Sequence, residues 1–461
     1  MELSEYFTFF VPNYKFVPAF RNKIWDGKIR LFNRSNHTLY AGLLPYLQQF
    51  CKEREYEVKI DSRLVCADEF SAEEAMSFVD TLGLPFLPRD YQLKAFLYAV
   101  RNRRGLLLSP TASGKSLIIY LLARYLNTKT LIIVPTISLV AQLTKDFKDY
   151  GFDSDEHVHQ IFAGSAKHTD KQIVISTWQS IYKMPKDWFD QFDVVIGDEA
   201  HQFKAKSLTT IMANMTDCAY RIGLTGTLDG TQTHKLVLEG LFGVVKSVTT
   251  TKDLIDSGAL AKFRIKALIL KHTEEQCKAH SKDKYQDEID YLVSSEARNK
   301  FIRNLAISLK GNTLVLFQLV EKHGKKLHAL ITQASEEGRP IFFVHGGVGV
   351  DEREEVRRIT EEESNAIIVA SYGTFSTGIN IKNLHNVIFA SPSKAKIRVL
   401  QSIGRGLRLG KDKDVATLFD IADDLTHKSR KNFTLDHFVE RMKIYTAEKF
   451  EYSIYNIDLK G

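Results

Sequence analysis

Long apolar runs are missing from this chain. Its hydrophobic stretches, such as 131–134 and 367–370, have strand length and fall far short of the ~20 residues that a membrane span requires. A basic leader is missing too. The chain begins Met1-Glu-Leu-Ser-Glu, acidic where a secretory signal needs positive charge, so the cytosol is the expected compartment, the host's if a phage encodes it. Cysteine is scarce: Cys51, Cys66, Cys218 and Cys277 are the four among 461 residues, and without C-x-x-C spacing they suggest neither a zinc site nor a disulfide framework. Low-complexity tracts and repeats are absent. With 44% hydrophobic and 26% charged residues the chain reads as folded and globular, with room for about three domains. Strong net charge is lacking as well, since +7 is mild at this length and gives only weak support for a polyanionic partner.

What charge there is clusters. Residues 14–34 hold Lys15, Arg21, Lys23, Lys28, Arg30 and Arg34 against one acid, Asp26, with Tyr14, Phe16, Phe20, Trp25 and Phe32 interleaved. That mixture suits a nucleic-acid surface, with cations for phosphates and rings for bases. A small sheet with an aromatic core and solvated cations accounts for it equally well, and the two are compatible. Strand patterns at 28–32 and 56–60 around a helix at 43–54 predict a compact α+β module. A polar helix-like linker at 71–81 and the breakers Pro85 and Pro88 follow. Apolar strands then alternate with helical patterns at 105–108, 130–134, 172–176, 194–197 and 221–224. The alternation resumes at 313–317, 341–344, 366–370, 387–389 and 415–419. Such alternation specifies parallel sheets covered by helices. The expected layout is an α+β module at 1–70, a linker at 71–84, an α/β lobe at 85–255 and a second at 256–461 that ends in a helical tail.

The segment Ser109-Pro-Thr-Ala-Ser-Gly-Lys-Ser116 sits between an apolar strand and a periodic helix, the setting a phosphate-binding loop requires. Backbone N–H groups of Thr111, Ala112, Ser113 and Gly114 would face an anion. Lys115 would reach the β- and γ-phosphates of ATP, and Ser116 would place its hydroxyl on Mg²⁺. Ser109 stands where the usual pattern has its first glycine. About eighty residues on, Asp198-Glu199-Ala-His201 closes another apolar strand. Carboxylates at that edge of a parallel sheet face the same crevice as the loop, so Asp198 can hold Mg²⁺ while Glu199 orients and deprotonates the attacking water.

Asp-Glu-Ala-His resembles the DEAH form of the Walker B motif of superfamily-two helicases, and the other motifs of that superfamily stand here in order. Arg89-Asp-Tyr-Gln92 looks like the adenine-reading element, which implies base contacts from Arg89 and Gln92. Val134-Pro135-Thr136, Phe162-Ala-Gly164 and Ser176-Thr177-Trp178-Gln179 are similar to the loops that grip the nucleic-acid backbone, as is Val344-His345-Gly346-Gly347 in the second lobe. Leu224-Thr225-Gly-Thr227 resembles the motif coupling nucleotide state to strand movement, in the family through the DEAH histidine, here His201. Ser371-Tyr-Gly-Thr374-Phe-Ser-Thr-Gly378-Ile-Asn380 looks like the motif touching both ligands, with Ser371 and Thr374 toward nucleic acid and Gly378 toward nucleotide. Gln401-Ser-Ile-Gly-Arg405-Gly-Leu-Arg408 is similar to the arginine-finger motif, implying catalytic roles for Gln401, Arg405 and Arg408. An arginine supplied across a cleft is worth roughly 10³ to 10⁵ in rate, so a finger on the second lobe would tie hydrolysis to lobe closure.

Residues 7–60, with Tyr14-Lys-Phe16 and Trp25-Asp-Gly-Lys28-Ile-Arg30, resemble the N-terminal module of UvsW-type branched-DNA helicases of tailed phages. The tail His437-Phe-Val-Glu-Arg441-Met-Lys-Ile-Tyr445 does too. The resemblance implies two tandem RecA-like parallel-sheet lobes behind a small nucleic-acid-binding domain in which Arg21, Lys23, Lys28 and Arg30 contact DNA. It also implies an ATP-dependent helicase that remodels forks, four-way junctions and displaced-strand structures, with RNA–DNA hybrid as a further substrate. A monomer without membrane attachment is expected. The alternatives are a DEAH-type RNA helicase and the motor of a restriction-like nuclease, whose only signal is the E-x-K triplet Glu57-Val-Lys59.

Overall fold

The computed structural model describes residues 1–12, 14–64, 69–202, 205–228, 231–374, 381, 383–391 and 415–459. They form two compact units, Met1–Thr249 and Thr250–Gly461. Among the described residues no helix is long and apolar enough to cross a membrane.

The first unit opens on short strands. β1 (Thr8–Phe10) pairs antiparallel with β2 (Lys28–Arg30), and β3 (Phe32–Asn33) with β4 (Thr38–Leu39). The helix Leu44–Glu53 follows. Residues 56–60 are not the strand that their alternation predicts. Alternation makes a strand only where a partner supplies the ladder, and here Tyr56 and Val58 stay exposed, the Tyr56 ring lying beside Phe50 and its hydroxyl donating to Glu2. Among the described residues the module shares its core with the lobe. Phe7, Leu31 and Leu43 are buried in one apolar cluster with Leu106, Val195, Leu236 and Phe242 of the lobe behind them. Gly42 sits so close to the helix Gln232–Phe242 that a Cβ there would come within 1.9 Å of the Glu239 carbonyl oxygen. Tyr46 donates to the buried Glu239 carboxylate at 2.7 Å, whose other oxygen accepts from the Val245 N–H at 2.9 Å. The linker is the expected helix, Ala72–Thr81, started by a reciprocal Ser71–Glu74 capping box.

Behind the module lies a seven-stranded, wholly parallel sheet. Its strands are β5 (Arg104–Leu108), β6 (Thr130–Val134), β7 (Val158–Ile161), β8 (Ile173–Thr177), β9 (Val194–Gly197), β10 (Tyr220–Thr225) and β11 (Val245–Ser247). Their order is β11-β5-β10-β9-β6-β8-β7. The five interior strands were legible as apolar runs because helices cover both faces. The edges β7 and β11 were not, since Val-His-Gln-Ile and Val-Lys-Ser carry the polar residues an edge tolerates.

The second unit repeats the architecture. Its strands are β12 (Lys262–Lys271), β13 (Thr313–Phe317), β14 (Ile341–Val344), β15 (Ile367–Ser371), β16 (Asn386–Phe389), β17 (Val415–Asp424) and β18 (Glu451–Asp458). All are parallel, in the order β14-β15-β13-β16-β17-β12-β18. The chain is thus two RecA-like lobes preceded by a small N-terminal module. The tail is helical only in part. After the helix Phe433–Ala447 it turns back as β18 and adds an edge to β12, as its aromatic and β-branched residues favour. That helix is pinned by a buried group: Arg441 grips Asp420 through Nη2 at 2.8 Å, and the Tyr445 hydroxyl donates to the same carboxylate at 2.8 Å.

Candidate functional site

The strand-to-helix turn after β5 departs from ordinary backbone at two residues, Ala112 with φ +67° and Gly114 with φ +78°. Gly114 is required twice. Its left-handed conformation favours glycine, and a Cβ there would lie 2.3 Å from the Gln92 amide nitrogen. Lys115 and Ser116 then open the helix Lys115–Leu126, whose free N–H groups point into the turn. Ser109 compensates for the missing glycine, because its hydroxyl meets the fully buried Ser113 hydroxyl at 2.6 Å and ties the loop across its base.

Gln92 stands where the nucleotide loop is braced. Its side-chain oxygen accepts from the Arg89 N–H at 2.8 Å and its nitrogen donates to the Ser113 carbonyl at 2.9 Å. Tyr91 donates to the same carbonyl at 3.0 Å and Arg89 donates to the Tyr91 hydroxyl at 2.9 Å, so of the two candidate adenine contacts Gln92 holds the loop directly and Arg89 reaches it only through Tyr91 and Gln92. Thr111 is half-buried beside them.

Asp198 and Glu199 form the turn that follows β9. Glu199 adopts φ +49°, strained backbone for a residue with a side chain. Its carboxylate reaches Lys115 Nζ at 3.2 Å and His201 Nδ1 at 3.4 Å. Burial and the neighbouring Glu199 push the Asp198 carboxyl up to about 7, against the pull of Lys115. A cation at that oxygen would relieve both effects. The donor set fits one, since the Ser116 hydroxyl and Asp198 carboxylate are the oxygen ligands Mg²⁺ accepts when phosphates complete its shell. Among the described residues no cluster of three His, Cys, Asp or Glu could hold a metal by itself.

His201 links this corner to β10. Its Nδ1 is 2.7 Å from Thr225 Oγ1, and that hydroxyl donates to the Thr227 carbonyl at 2.8 Å. With its proton directed to Thr227, Thr225 can only accept, which assigns the proton to His201 Nδ1.

The backbone-gripping candidates sit further along the same sheet edge. Pro135 is buried at the end of β6, and Thr136 caps the helix Ile137–Asp149, its Oγ1 accepting from the Leu139 N–H at 3.4 Å. Thr177, at the end of β8, meets the Ser180 hydroxyl at 2.9 Å, and Trp178 lies edge-on to Tyr182. Gln179 donates to the Pro135 carbonyl at 3.2 Å and joins the two loops. Gly164 is exposed with φ +87° and open space around it. From one end of the edge to the other the strands present the phosphate loop (β5), Thr225 (β10), Asp198 and Glu199 (β9), Pro135 and Thr136 (β6), then Thr177 and Trp178 (β8).

In the second unit His345 and Gly346 follow β14, with the His345 ring accepting from the Gly347 N–H at 3.1 Å. Ser371 ends β15 and Thr374 follows it, both buried, their hydroxyls 2.8 Å apart. Gly378, Gln401, Arg405 and Arg408 lie outside the described residues. No motif marks the buried polar group beneath this edge. Arg298 is fully buried, donates through Nε to both oxygens of Asp423 at 2.9 and 3.0 Å, and holds the Ala390 carbonyl at 2.9 Å. Burial alone would raise the Asp423 carboxyl, but Arg298 and His272 hold it below the usual range. Burial, with Arg298 nearby, pushes the His323 imidazole down to about 3, so it bonds Ser391 and Asn299 as a neutral ring.

In the N-terminal module Phe10, Phe16 and Ile24 are exposed. Lys28 lies 4.9 Å over the Phe10 ring and the Arg21 guanidinium 5.9 Å from the Phe16 ring, close enough for cation–π attraction. Lys15, Arg21, Lys23, Ile24 and Trp25 line one open groove. Arg30 is committed to an ion pair with Asp26. Glu57 and Lys59 lie on an exposed segment outside any strand.

A family model described as "DNA helicase UvsW, N-terminal" matches residues 1–61. Others described as "Type III restriction enzyme, res subunit" and "Helicase conserved C-terminal domain" match 85–230 and 296–410. The ATP-dependent DNA helicase uvsW of Enterobacteria phage T4 is 35% identical over 484 residues, covering 99% of this chain and 95% of that protein. The chain belongs to the UvsW family of superfamily-two helicases. The crystal structure of T4 UvsW covers 100% of the chain and 95% of its own, with a TM-score of 0.51 at 34% identity. The DNA 3'-5' translocase XPB2 of Sulfurisphaera tokodaii is 27% identical over 392 residues, covering 77% of this chain and 86% of that one. Within the UvsW family frame, the phosphate loop, Asp198-Glu199-Ala-His201 and Thr225 share one edge of one sheet, as an ATP-driven motor requires.

Proposed function

We propose that this chain is an ATP-dependent DNA helicase that remodels branched DNA, namely forks, four-way junctions and displaced-strand structures. One observation carries the reading. A single sheet edge runs from the phosphate loop through the His201–Thr225 bond and the Asp198–Glu199 pair to the loops of β6 and β8. Lys115 leaves Glu199 for the phosphates when ATP enters. Glu199, released from that ion pair, orients the attacking water and takes its proton. His201 senses the change at Glu199 and passes it to Thr225 and the Thr227 carbonyl, on the strand that separates the nucleotide loop from the catalytic pair. Mg²⁺, held by Ser116 and Asp198, would supply charge neutralisation at the transferring phosphate. The family resemblance gives Gln401, Arg405 and Arg408 the arginine-finger role in this reading.

Branch preference falls to the N-terminal module. The motor loops grip backbone without reading its form, whereas a second basic and aromatic surface can hold another arm of the junction. The kinship with T4 UvsW supports a DNA substrate over RNA. ATP turnover should be compared with single-stranded, duplex, forked and four-way DNA and with RNA as activators. Forked and four-way DNA should stimulate most, and a larger response to RNA would refute the assignment.

A further inference from the structure

Ser116 has a second neighbour that none of the motifs contains. The Tyr150 hydroxyl lies 2.8 Å from Ser116 Oγ. Tyr150 is the residue that ends the helix Ile137–Asp149, its own N–H donating back to the Asp146 carbonyl at 3.0 Å. Its ring is fixed between Phe86, edge-on at 5.6 Å, and Tyr120 at 5.3 Å. A phenol held this firmly fixes the rotor of the serine it touches, since a hydroxyl otherwise turns freely among its three staggered positions. The other end of the helix is Thr136, the capping residue beside Pro135. Thirteen residues of helix span about 20 Å at ~1.5 Å each, so one rigid element joins the backbone-gripping end of β6 to the serine of the phosphate loop.

We propose that Tyr150 is a positioning residue that sets the Ser116 hydroxyl for the metal of the nucleotide, and that the helix it ends carries the grip on DNA to that hydroxyl. This rests on the reading of Ser116 as a metal ligand given above. Either hydroxyl can donate across that contact; when Ser116 donates to the phenol, both of its oxygen lone pairs are left for the cation. DNA pressing on Thr136 shifts the helix as a body, and Tyr150 moves the serine with it.

The test is equilibrium binding of a fluorescent ADP to the full chain, titrated with Mg²⁺, with and without duplex DNA. Tyr150→Phe keeps the ring and removes only the hydroxyl, so the melting temperature and the metal-free affinity should match wild type. DNA should lower the Mg²⁺ midpoint of wild type; in the variant the midpoint should rise ~3–10-fold, the effect of one hydrogen bond, and the lowering by DNA should be lost. A midpoint within about 1.5-fold of wild type, or a preserved DNA shift, overturns the inference. Ser116→Ala separates the two readings. It should raise the midpoint further and make a second change at Tyr150 silent. If Ser116→Ala leaves the metal dependence intact, the metal role of Ser116 fails, and the role of Tyr150 falls with it.

Discussion

Replacing Glu199 with Gln tests the catalytic corner most directly, because one atom separates two effects of opposite sign. The carboxylate is the proposed base, and general-base assistance contributes roughly 10² to 10⁴ in rate, or about 3 to 5 kcal/mol of barrier. The same carboxylate holds Lys115 at 3.2 Å, with side chains only 17% and 10% exposed, so it competes with phosphate for that cation. A hydrogen bond to a charged group is worth about 1.5 to 3 kcal/mol, part of which Lys115 must give up when phosphate arrives. The amide is a weaker partner for an ammonium group than the carboxylate, so Glu199→Gln should bind ATP as tightly as wild type or up to ~10-fold more tightly while turnover falls at least ~100-fold. Lys115→Ala should instead lose both. The measurements are steady-state turnover with saturating forked DNA and equilibrium binding of a fluorescent ATP analogue. Turnover above about a tenth of wild type would refute Glu199 as the base, and a ~10-fold loss of ATP affinity would refute the competition for Lys115.

Arg405→Ala and Arg408→Ala should each slow single-turnover hydrolysis by orders of magnitude with a smaller effect on ATP affinity, because a finger acts on transition-state charge; reduced affinity at unchanged turnover would remove the assignment. Gln92→Ala deletes one of the two braces on the Ser113 carbonyl and should raise the KM for ATP about 10-fold, at a stability cost of about 0.5–1.5 kcal/mol for the one hydrogen bond lost, because Tyr91 still donates to that carbonyl; an unchanged KM would show that the loop holds itself. Arg441→Met leaves Asp420 buried without its cation and should destabilise the second unit by about 3–5 kcal/mol in denaturant unfolding, whereas a change under about 1 kcal/mol would mean that water reaches the carboxylate. Joint replacement of Arg21, Lys23 and Lys28 by Ala should weaken four-way-junction binding and reduce its salt slope by about one unit for each phosphate no longer neutralised, and an unaltered slope in the folded variant would leave these cations merely solvated.

Deleting the whole module would be a poorer experiment, and the reason shows what the sequence could not convey. The run of elements suggests a separable domain before a motor, yet Phe7, Leu31 and Leu43 share a core with Leu236 and Phe242, so truncation uncovers apolar lobe surface. Pairings of that range leave no trace in local periodicity. Tyr46 and Glu239 meet across 193 residues, Arg298 and Asp423 across 125, Ser116 and Tyr150 across 34. The strand–turn–helix around Lys115 and the acidic pair after β9 were legible because each is written in adjacent residues, and the interior strands because burial on both faces forces continuous apolar runs. Segment 56–60 misled for the converse reason, since its alternation is the same whether or not a partner strand exists. The coupling strand shows how far order along the chain departs from order in space. β10 is the last of the five motif-bearing strands in sequence, yet it inserts between β5, which leads into the proposed phosphate loop, and β9, which leads into the proposed catalytic pair. That insertion brings His201 within reach of Thr225, the contact through which we propose that the motor registers whether its nucleotide has been cleaved.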